Sequence, residues 1–250
     1  MSDTVLETEN LTKDFAGFVA VRSVNLRVAR GAIHAMIGPN GAGKTTCFNL
    51  LSKFLNPTRG RIVFAGRDIT ALPPAEVARL GLVRSFQISA VFPHLTVLEN
   101  VRIALQRRRG GSFDFWRSKH VLRALDDRAR ALLADVGLAP YVDMLAVQLP
   151  YGRKRALEIA TTVALEPQLL LLDEPMSGMA REDIERISGL IRSFAVDRTV
   201  LMVEHNISVV ADLCDRITVL SRGEILAEGD YRTVSADPAV RAAYLGTGDG

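Results

Sequence analysis

The sequence predicts an α/β fold, a mostly parallel sheet covered by helices, with an α-helical subdomain inserted into it. Three observations carry that expectation. From residue 153 onward, helical spacing alternates with short apolar runs such as "LLLLD" (169–173) and "TVLMVE" (199–204), which suit central strands buried on both faces. Strands alternating with helices imply right-handed crossovers and therefore parallel neighbours. Between residues 88 and 148 the alternation stops and two long helical patterns take over.

Taken in order, the first 37 residues read as short strands. "SVNLRV" alternates apolar and polar residues, and "AIHAMIG" is an apolar run that ends at a glycine. A helix is expected from about Gly43 to Leu55, then a turn at "NPTRG" and a hairpin, "RIVFAGRDI". Pro73 and Pro74 open a short helix ending near Gly81. "TVLENVRIALQ" begins with a capping box, Thr96 followed three residues later by Glu99, and continues with helical spacing. "QRRRGGSFDFW" interrupts it as an exposed connection. A second helix runs from about Ser118 to Val136, with Gly137 placed to cap it. Beyond residue 153 come a helix to about Leu165, strand 169–173, a helix from about Arg181, strand 199–204, another helix and the strand "RITVL". This gives one domain, 1–250. Its α/β core with a β subdomain is expected at 1–87 and 153–250, and the helical subdomain at 88–152.

Composition bounds the function. The 250 residues carry a net charge of +3, too weak a basic bias to point to nucleic acid. The N-terminus "MSDTVLETEN" is polar and acidic, unlike a signal peptide. No apolar run approaches the roughly 18 residues of a membrane span, so a soluble or peripheral chain is expected. Cys47 and Cys214 make no disulfide framework and fit a reducing cytosol.

"GPNGAGKTT", residues 38–46, fits the phosphate-binding pattern of a P-loop and sits between an apolar strand and a helix, the context that motif needs. Backbone N–H groups of Gly38, Pro39–Ala42 (proline itself excepted) and Gly43 can wrap phosphate oxygens, with Asn40 and Gly41 at the tip. Lys44 brings a point charge to the outer phosphates, Thr45 a hydroxyl for Mg²⁺, and Thr46 lies beside them. The strand 169–173 ends in Asp173, a carboxylate able to hold the metal through water, and Glu174 is placed as general base for an attacking water. His205 ends the next strand, where it can touch the outer phosphate, and Gln87 closes the strand before the helical segment.

In this order the residues resemble the ATP-binding subunits of ABC transporters: P-loop at 38–45, Gln87, a signature at 149–153, the acid pair 173–174, and His205. The resemblance covers nearly the whole chain. It implies a P-loop NTPase core of the ABC ATPase type, a mostly parallel sheet plus an antiparallel β subdomain. It also implies ATP with Mg²⁺ as cofactors, Phe15 stacking on adenine, and Gln87 joining Thr45 and Asp173 at the metal. Within the family, "FAGFVAV", "FPHLTVLENV", "YGRKRALEIA" and "DPAVRAAYLG" are similar to the branched-chain (hydrophobic) amino-acid uptake branch. The implied role is to power an importer from the cytoplasmic face of the inner membrane, peripherally. The partners would be transmembrane permease subunits and, indirectly, a solute-binding protein, with no nucleic acid. ATPases of urea or amide uptake or of lipopolysaccharide export, and a low-turnover regulatory module, are the alternatives.

Two departures stand out. In the family, the signature faces the nucleotide of the other subunit, here through Tyr151, Gly152 and Arg153. Pro150 replaces the usual serine, which removes a hydroxyl and an N–H, although proline also starts a helix well. Arg153 stands where glutamine is common and is expected to restore some charge. Ala180 in "SGMA" replaces a polar residue that communicates across the dimer. Parts acting within the chain are kept and parts acting across a dimer are weakened. That favours a heterodimer with a second ATP-binding subunit, a homodimer being the other arrangement. "AVFPHL", with Phe92 and Leu95, is the candidate contact to the permease. Cys47, one turn into the helix after the P-loop, is either a thiol activated by the positive helix end and shielded by ATP, or an apolar filler.

Overall fold

The computed structural model describes residues 3–85, 91–108 and 119–245. The chain begins with β1 (Thr4–Phe15), β2 (Phe18–Val24), β3 (Arg27–Ala29) and β4 (Ile33–Ile37), then α1 (Lys44–Leu51). The hairpin β5 (Arg59–Phe64) and β6 (Arg67–Asp68) follows, and α2 (Pro74–Arg79) leads to β7 (Leu82–Ser85). Next come α3 (Val97–Arg108), α4 (Lys119–Asp135), one-turn helices at Ala139–Tyr141 and Ala146–Gln148, and α5 (Tyr151–Val163). The last part alternates β8 (Leu169–Asp173), α6 (Arg181–Ala195), β9 (Thr199–Val203), α7 (Ile207–Leu213), β10 (Arg216–Ser221) and β11 (Glu224–Gly229). It closes with α8 (Tyr231–Ala236) and α9 (Pro238–Leu245).

These elements form two compact units. The first comprises residues 1–84, 168–176 and 191–250 and holds two sheets. One is antiparallel, in the order β2-β1-β5-β6 with β3 also on β1; the other runs β11-β10-β4-β9-β8-β7. Strands β10, β4, β9 and β8 are parallel, and β11 returns antiparallel at the edge. β4, β8 and β9 are buried at every position, as the continuous apolar runs require. Phe48, Leu50 and Leu51 of α1 share one core with Leu11 and Val24 of the antiparallel sheet and Leu171, Leu201 and Val203 of the parallel one. Register aligns Met36, Val203 and Asp173 across β4, β9 and β8, so the carboxyl ends of these strands share one sheet edge.

The second unit comprises residues 85–167 and 177–190. Thr96 and Glu99 make the expected capping box. The Thr96 N–H and hydroxyl donate to the Glu99 carboxylate at 2.8 and 3.0 Å, and the Glu99 N–H donates back to the Thr96 hydroxyl at 3.2 Å. Those bonds hold the Glu99 carboxyl below its usual range. Arg102 on α3 pairs with Asp126 on α4 at 3.1 Å.

Two elements differ from expectation. "SVNLRV" is divided between β2 and β3, because Ser23 takes a φ of 47° and Asn25 turns its amide to Asn10 and Ser23. The helix expected to reach Leu55 stops at Leu51. Lys53 adopts φ 63° and its buried Nζ donates to Asn56 and to the Thr70 carbonyl at 2.6 Å, which fixes the chain in a turn.

Candidate functional site

In the first unit, β4 lies between β10 and β9 and delivers the loop 38–43 to the middle of the sheet edge. Gly43 precedes α1 with φ 97°, and a Cβ there would stand 2.4 Å from the Ala20 carbonyl oxygen, so only glycine fits. The Ala42 N–H closes the loop onto the Pro39 carbonyl at 3.2 Å, and the Gly223 N–H reaches the Ala42 carbonyl at 3.0 Å. The first bond of α1 runs from the Cys47 N–H to the Gly43 carbonyl at 2.8 Å. The N–H groups of Lys44, Thr45 and Thr46 therefore have no partner within the helix, an arrangement that attracts a phosphate. Lys44 folds over the loop, its Nζ donating to the carbonyls of Gly38 at 2.7 Å and Pro39 at 3.0 Å. Burial lowers its pKa, and the nearby Glu174 carboxylate opposes that shift.

Asp173 ends β8 with almost no exposure and accepts a 2.6 Å bond from Arg84 on β7. The same guanidinium donates to the Asn49 side chain at 2.6 Å and the Ser52 hydroxyl at 3.2 Å, which brings Asp173 against one face of α1. Thr45 lies four residues before Asn49 and so shares that face. Glu174 leaves the strand with a left-handed φ of 43°, its N–H bonded to the Val203 carbonyl at 2.9 Å. Beyond Val203, the buried Glu204 accepts from the Met176 N–H at 2.9 Å and the His205 N–H at 3.1 Å. One carboxylate thus ties the loop after Glu174 to the loop that presents the exposed His205.

Phe15 is 45% exposed with Lys13 over its ring at 5.1 Å, and Phe18, its partner in register on β2, is 69% exposed. At the other end of the chain, burial raises the Tyr244 pKa and a hydrogen bond to the Gly38 backbone opposes it, so α9 packs against the start of the loop.

In the second unit, Pro150 is the residue before α5, and its carbonyl accepts from the N–H groups of Arg153 and Lys154 at 3.0 and 2.9 Å. The Tyr151 hydroxyl donates to the Ser177 carbonyl at 3.1 Å. Gly152 lies close under α6: a Cβ there would meet the Asp183 carboxylate at 2.3 to 2.7 Å, so a larger residue would have to push that side chain aside. Arg153 donates to the Gly137 carbonyl at 3.0 Å and lies over the Tyr141 ring. The Ala180 carbonyl accepts from the Ile184 N–H at 3.0 Å, so this residue begins α6 without a side chain able to cap it. Phe92 is exposed on a loop clasped by the buried Asn100, which accepts from the Phe92 N–H at 2.7 Å and donates to its carbonyl at 3.1 Å.

Gln87 lies outside the described residues, as does most of "QRRRGGSFDFW". The idea of an activated Cys47 is corrected: its side chain is fully buried in the core, and burial pushes the thiol up to about 12. Spacing placed it near the helix end but not on the face that points inward. Sequence reasoning also missed Arg84, Asn49, Glu204, Phe18 and Tyr244. Only Arg84 left a local signal, as a lone cation in the apolar strand "LVRS".

Comparison with known proteins finds similarity over the whole chain. The family profile described as "ABC transporter" matches residues 21–177, and that of the branched-chain amino acid ATP-binding cassette transporter matches residues 224–250. The chain is 38% identical to the high-affinity branched-chain amino acid transport ATP-binding protein BraF of Pseudomonas aeruginosa, over 98% of this chain and 99% of that one. It is 37% identical to LivG of Escherichia coli, over 98% and 99%, and 34% identical to the lipopolysaccharide export ATP-binding protein LptB of Acidithiobacillus ferridurans, over 97% of each. The crystal structure of MJ1267 in its ADP conformation, an ATP-binding cassette of an ABC transporter, superimposes with a TM-score of 0.84 at 30% identity, covering 97% of this chain and 99% of that one. The dimeric ATP-binding cassette MJ0796 bound to ADP and Pi gives 0.77 at 26% identity, covering 91% and 99%.

Proposed function

Because this chain belongs to the ATP-binding subunits of ABC transporters, of the branched-chain amino-acid type, we propose that it drives an importer of branched-chain or other hydrophobic amino acids. It is an ATPase coupled to transport and works in a complex with permease subunits. The observation that carries the substrate class is the match of residues 224–250 to the branched-chain profile, alongside full-length likeness to BraF and LivG. Among the described residues no helix is long and apolar enough to cross a membrane. The likeness to transport ATP-binding proteins supports peripheral placement against the permease at the cytoplasmic face. The exposed Phe92 loop, held from beneath by Asn100, is the candidate docking contact.

ATP would lie on the loop Gly38–Gly43, with the first-turn N–H groups and Lys44 on its phosphates and Phe15 against adenine. The Thr45 hydroxyl and the Asp173 carboxylate fit Mg²⁺, a hard cation that takes oxygen ligands. Among the described residues no cluster of His, Cys, Asp and Glu could cage a metal, so phosphate and water would complete its shell. When bound, Mg²⁺ would neutralise phosphate charge; Gln87 would complete the set by its position in the family order. Glu174 accepts the proton of the attacking water, and Lys44 and His205 offset charge on the outer phosphate. A solute-binding protein would deliver the amino acid to the permease.

Tyr151, Gly152 and Arg153 would face a nucleotide held by a second ATP-binding subunit. ATP closes that pair and hydrolysis reopens it. Pro150 brings neither a hydroxyl nor an N–H to the phosphate, and a hydrogen bond to a charged acceptor is worth about 1.5–3 kcal/mol. This supports a heterodimer in which the site made by this P-loop and the partner's signature turns over faster. The test is ATP hydrolysis by the chain alone and with its cognate second ATPase and permease, with Glu174→Gln as control. Strong Glu174-dependent turnover only in the complex supports the heterodimer. Equal turnover alone makes "LPYGR" a working signature, and co-purification with lipopolysaccharide-export membrane subunits would move the substrate to the LptB-like alternative.

A further inference from the structure

Arg84 is the third residue of a short, buried strand, a position where an unpaired guanidinium would be costly. It is tolerated because three elements share it. One terminal nitrogen donates to Asp173 Oδ2 at 2.6 Å. The other donates to Asn49 Oδ1 at 2.6 Å and Ser52 Oγ at 3.2 Å, and the Phe48 ring lies 5.8 Å from the guanidinium carbon. The Ser52 hydroxyl spends its proton on the Phe48 carbonyl at 2.7 Å, so its oxygen can only accept from Arg84. Asn49, Ser52 and Phe48 all belong to the helix of the phosphate loop or its end. The cation is therefore fixed in place, about a tenth exposed, with a carboxylate that is less exposed still.

We propose that Arg84 is a positioning residue that acts through Asp173: it fixes the carboxylate against α1 and offsets its charge, so that a divalent cation is held weakly until nucleotide phosphates arrive. The proposal rests on the reading of Asp173 as the metal-side acid. The physical reason is Coulombic. In a partly buried site with an effective dielectric near 20, a cation within about 6 Å of a divalent ion weakens its binding by far more than tenfold before relaxation. Metal loading then becomes nucleotide-dependent, and the separation is built into the strand that leads to Gln87.

The experiment is Mn²⁺ titration of the full chain, read by the loss of the free Mn²⁺ electron paramagnetic resonance signal, with and without ATP, the ATP series being corrected by the same titration of ATP without protein. In wild type, Mn²⁺ alone should bind at least tenfold more weakly than with ATP; equally tight binding without ATP overturns the proposal and needs no variant. Arg84→Gln should tighten binding of Mn²⁺ alone at least tenfold, and Arg84→Lys, which keeps the charge, should restore weak binding. Unchanged or weaker binding in Arg84→Gln assigns Arg84 a purely structural role and refutes the idea. The double variant Arg84→Gln/Asp173→Asn should lose the gain. A gain that persists there places the metal elsewhere, which defeats the reading of Asp173 rather than the fold around it.

Discussion

Acidification should destabilise this protein through His34. The ring belongs to the second residue of β4 and has no exposed surface, its Nε2 2.7 Å from the Thr218 hydroxyl on β10. Burial, reinforced by the positive charge of Arg216, lowers its pKa from the ordinary 6.5 to about 4. The unfolded chain therefore takes up a proton near 6.5, whereas the folded chain resists it until about 4. In that window the unfolded state binds more protons, so stability falls as pH falls, and above it nothing is lost. The gap of about two and a half pH units, at 1.36 kcal/mol each, corresponds to roughly 3 kcal/mol, against total stabilities of about 5–15 kcal/mol. Urea unfolding near neutrality and at about pH 4.5 measures it, with wild type compared with His34→Gln, which reaches Thr218 but does not titrate in this range. The variant should lose about 2.5 kcal/mol less than wild type between the two conditions. Equal losses, or a folded-state His34 titrating near 6.5, would refute the reasoning.

Three further outcomes follow from the same structure. Cys47, buried and with its thiol pushed up to about 12, should resist iodoacetamide in the native protein and react only on unfolding, so that any slowing by ATP matches the stabilisation ATP gives the fold rather than shielding of the thiol. Gly152→Ala should cost up to about 1 kcal/mol, measured by thermal or urea unfolding, because the new methyl pushes the Asp183 carboxylate away from Arg186; adding Asp183→Ala should recover most of the loss. Ala180→Asp supplies the missing cap of α6 and should raise stability by about 1 kcal/mol, whatever it does to turnover.

The parts legible in the sequence are those whose physics is local. "LLLLD" announces a strand buried on both faces because its first four positions are all leucine. "GPNGAGKTT" announces its turn because the glycines occupy backbone conformations that side chains refuse, and Thr96 and Glu99 cap a helix across three residues. The failures came where a neighbour far along the chain decided the outcome. "SVNLRV" alternates as a strand should, but Asn25 is drawn to Asn10 and breaks it. Helical spacing likewise continues to Leu55, but Lys53 reaches the Thr70 carbonyl 17 residues on and the helix stops at Leu51.

Sequence pattern therefore pointed to the α/β class and to the order of the phosphate loop, acid pair and His205, and the likeness of those motifs to ABC ATPases pointed to the family. What folding added is the company each residue keeps. Arg84 and Asp173 are 89 positions apart, and no local pattern connects them until β7 and β8 lie in one sheet. Glu204 meets the Met176 N–H, and α9 brings Tyr244 back to Gly38, for the same reason. Hydrogen-bond geometry, burial and the pKa shifts they cause depend on distance in space, and only the closed sheet and its core define those distances.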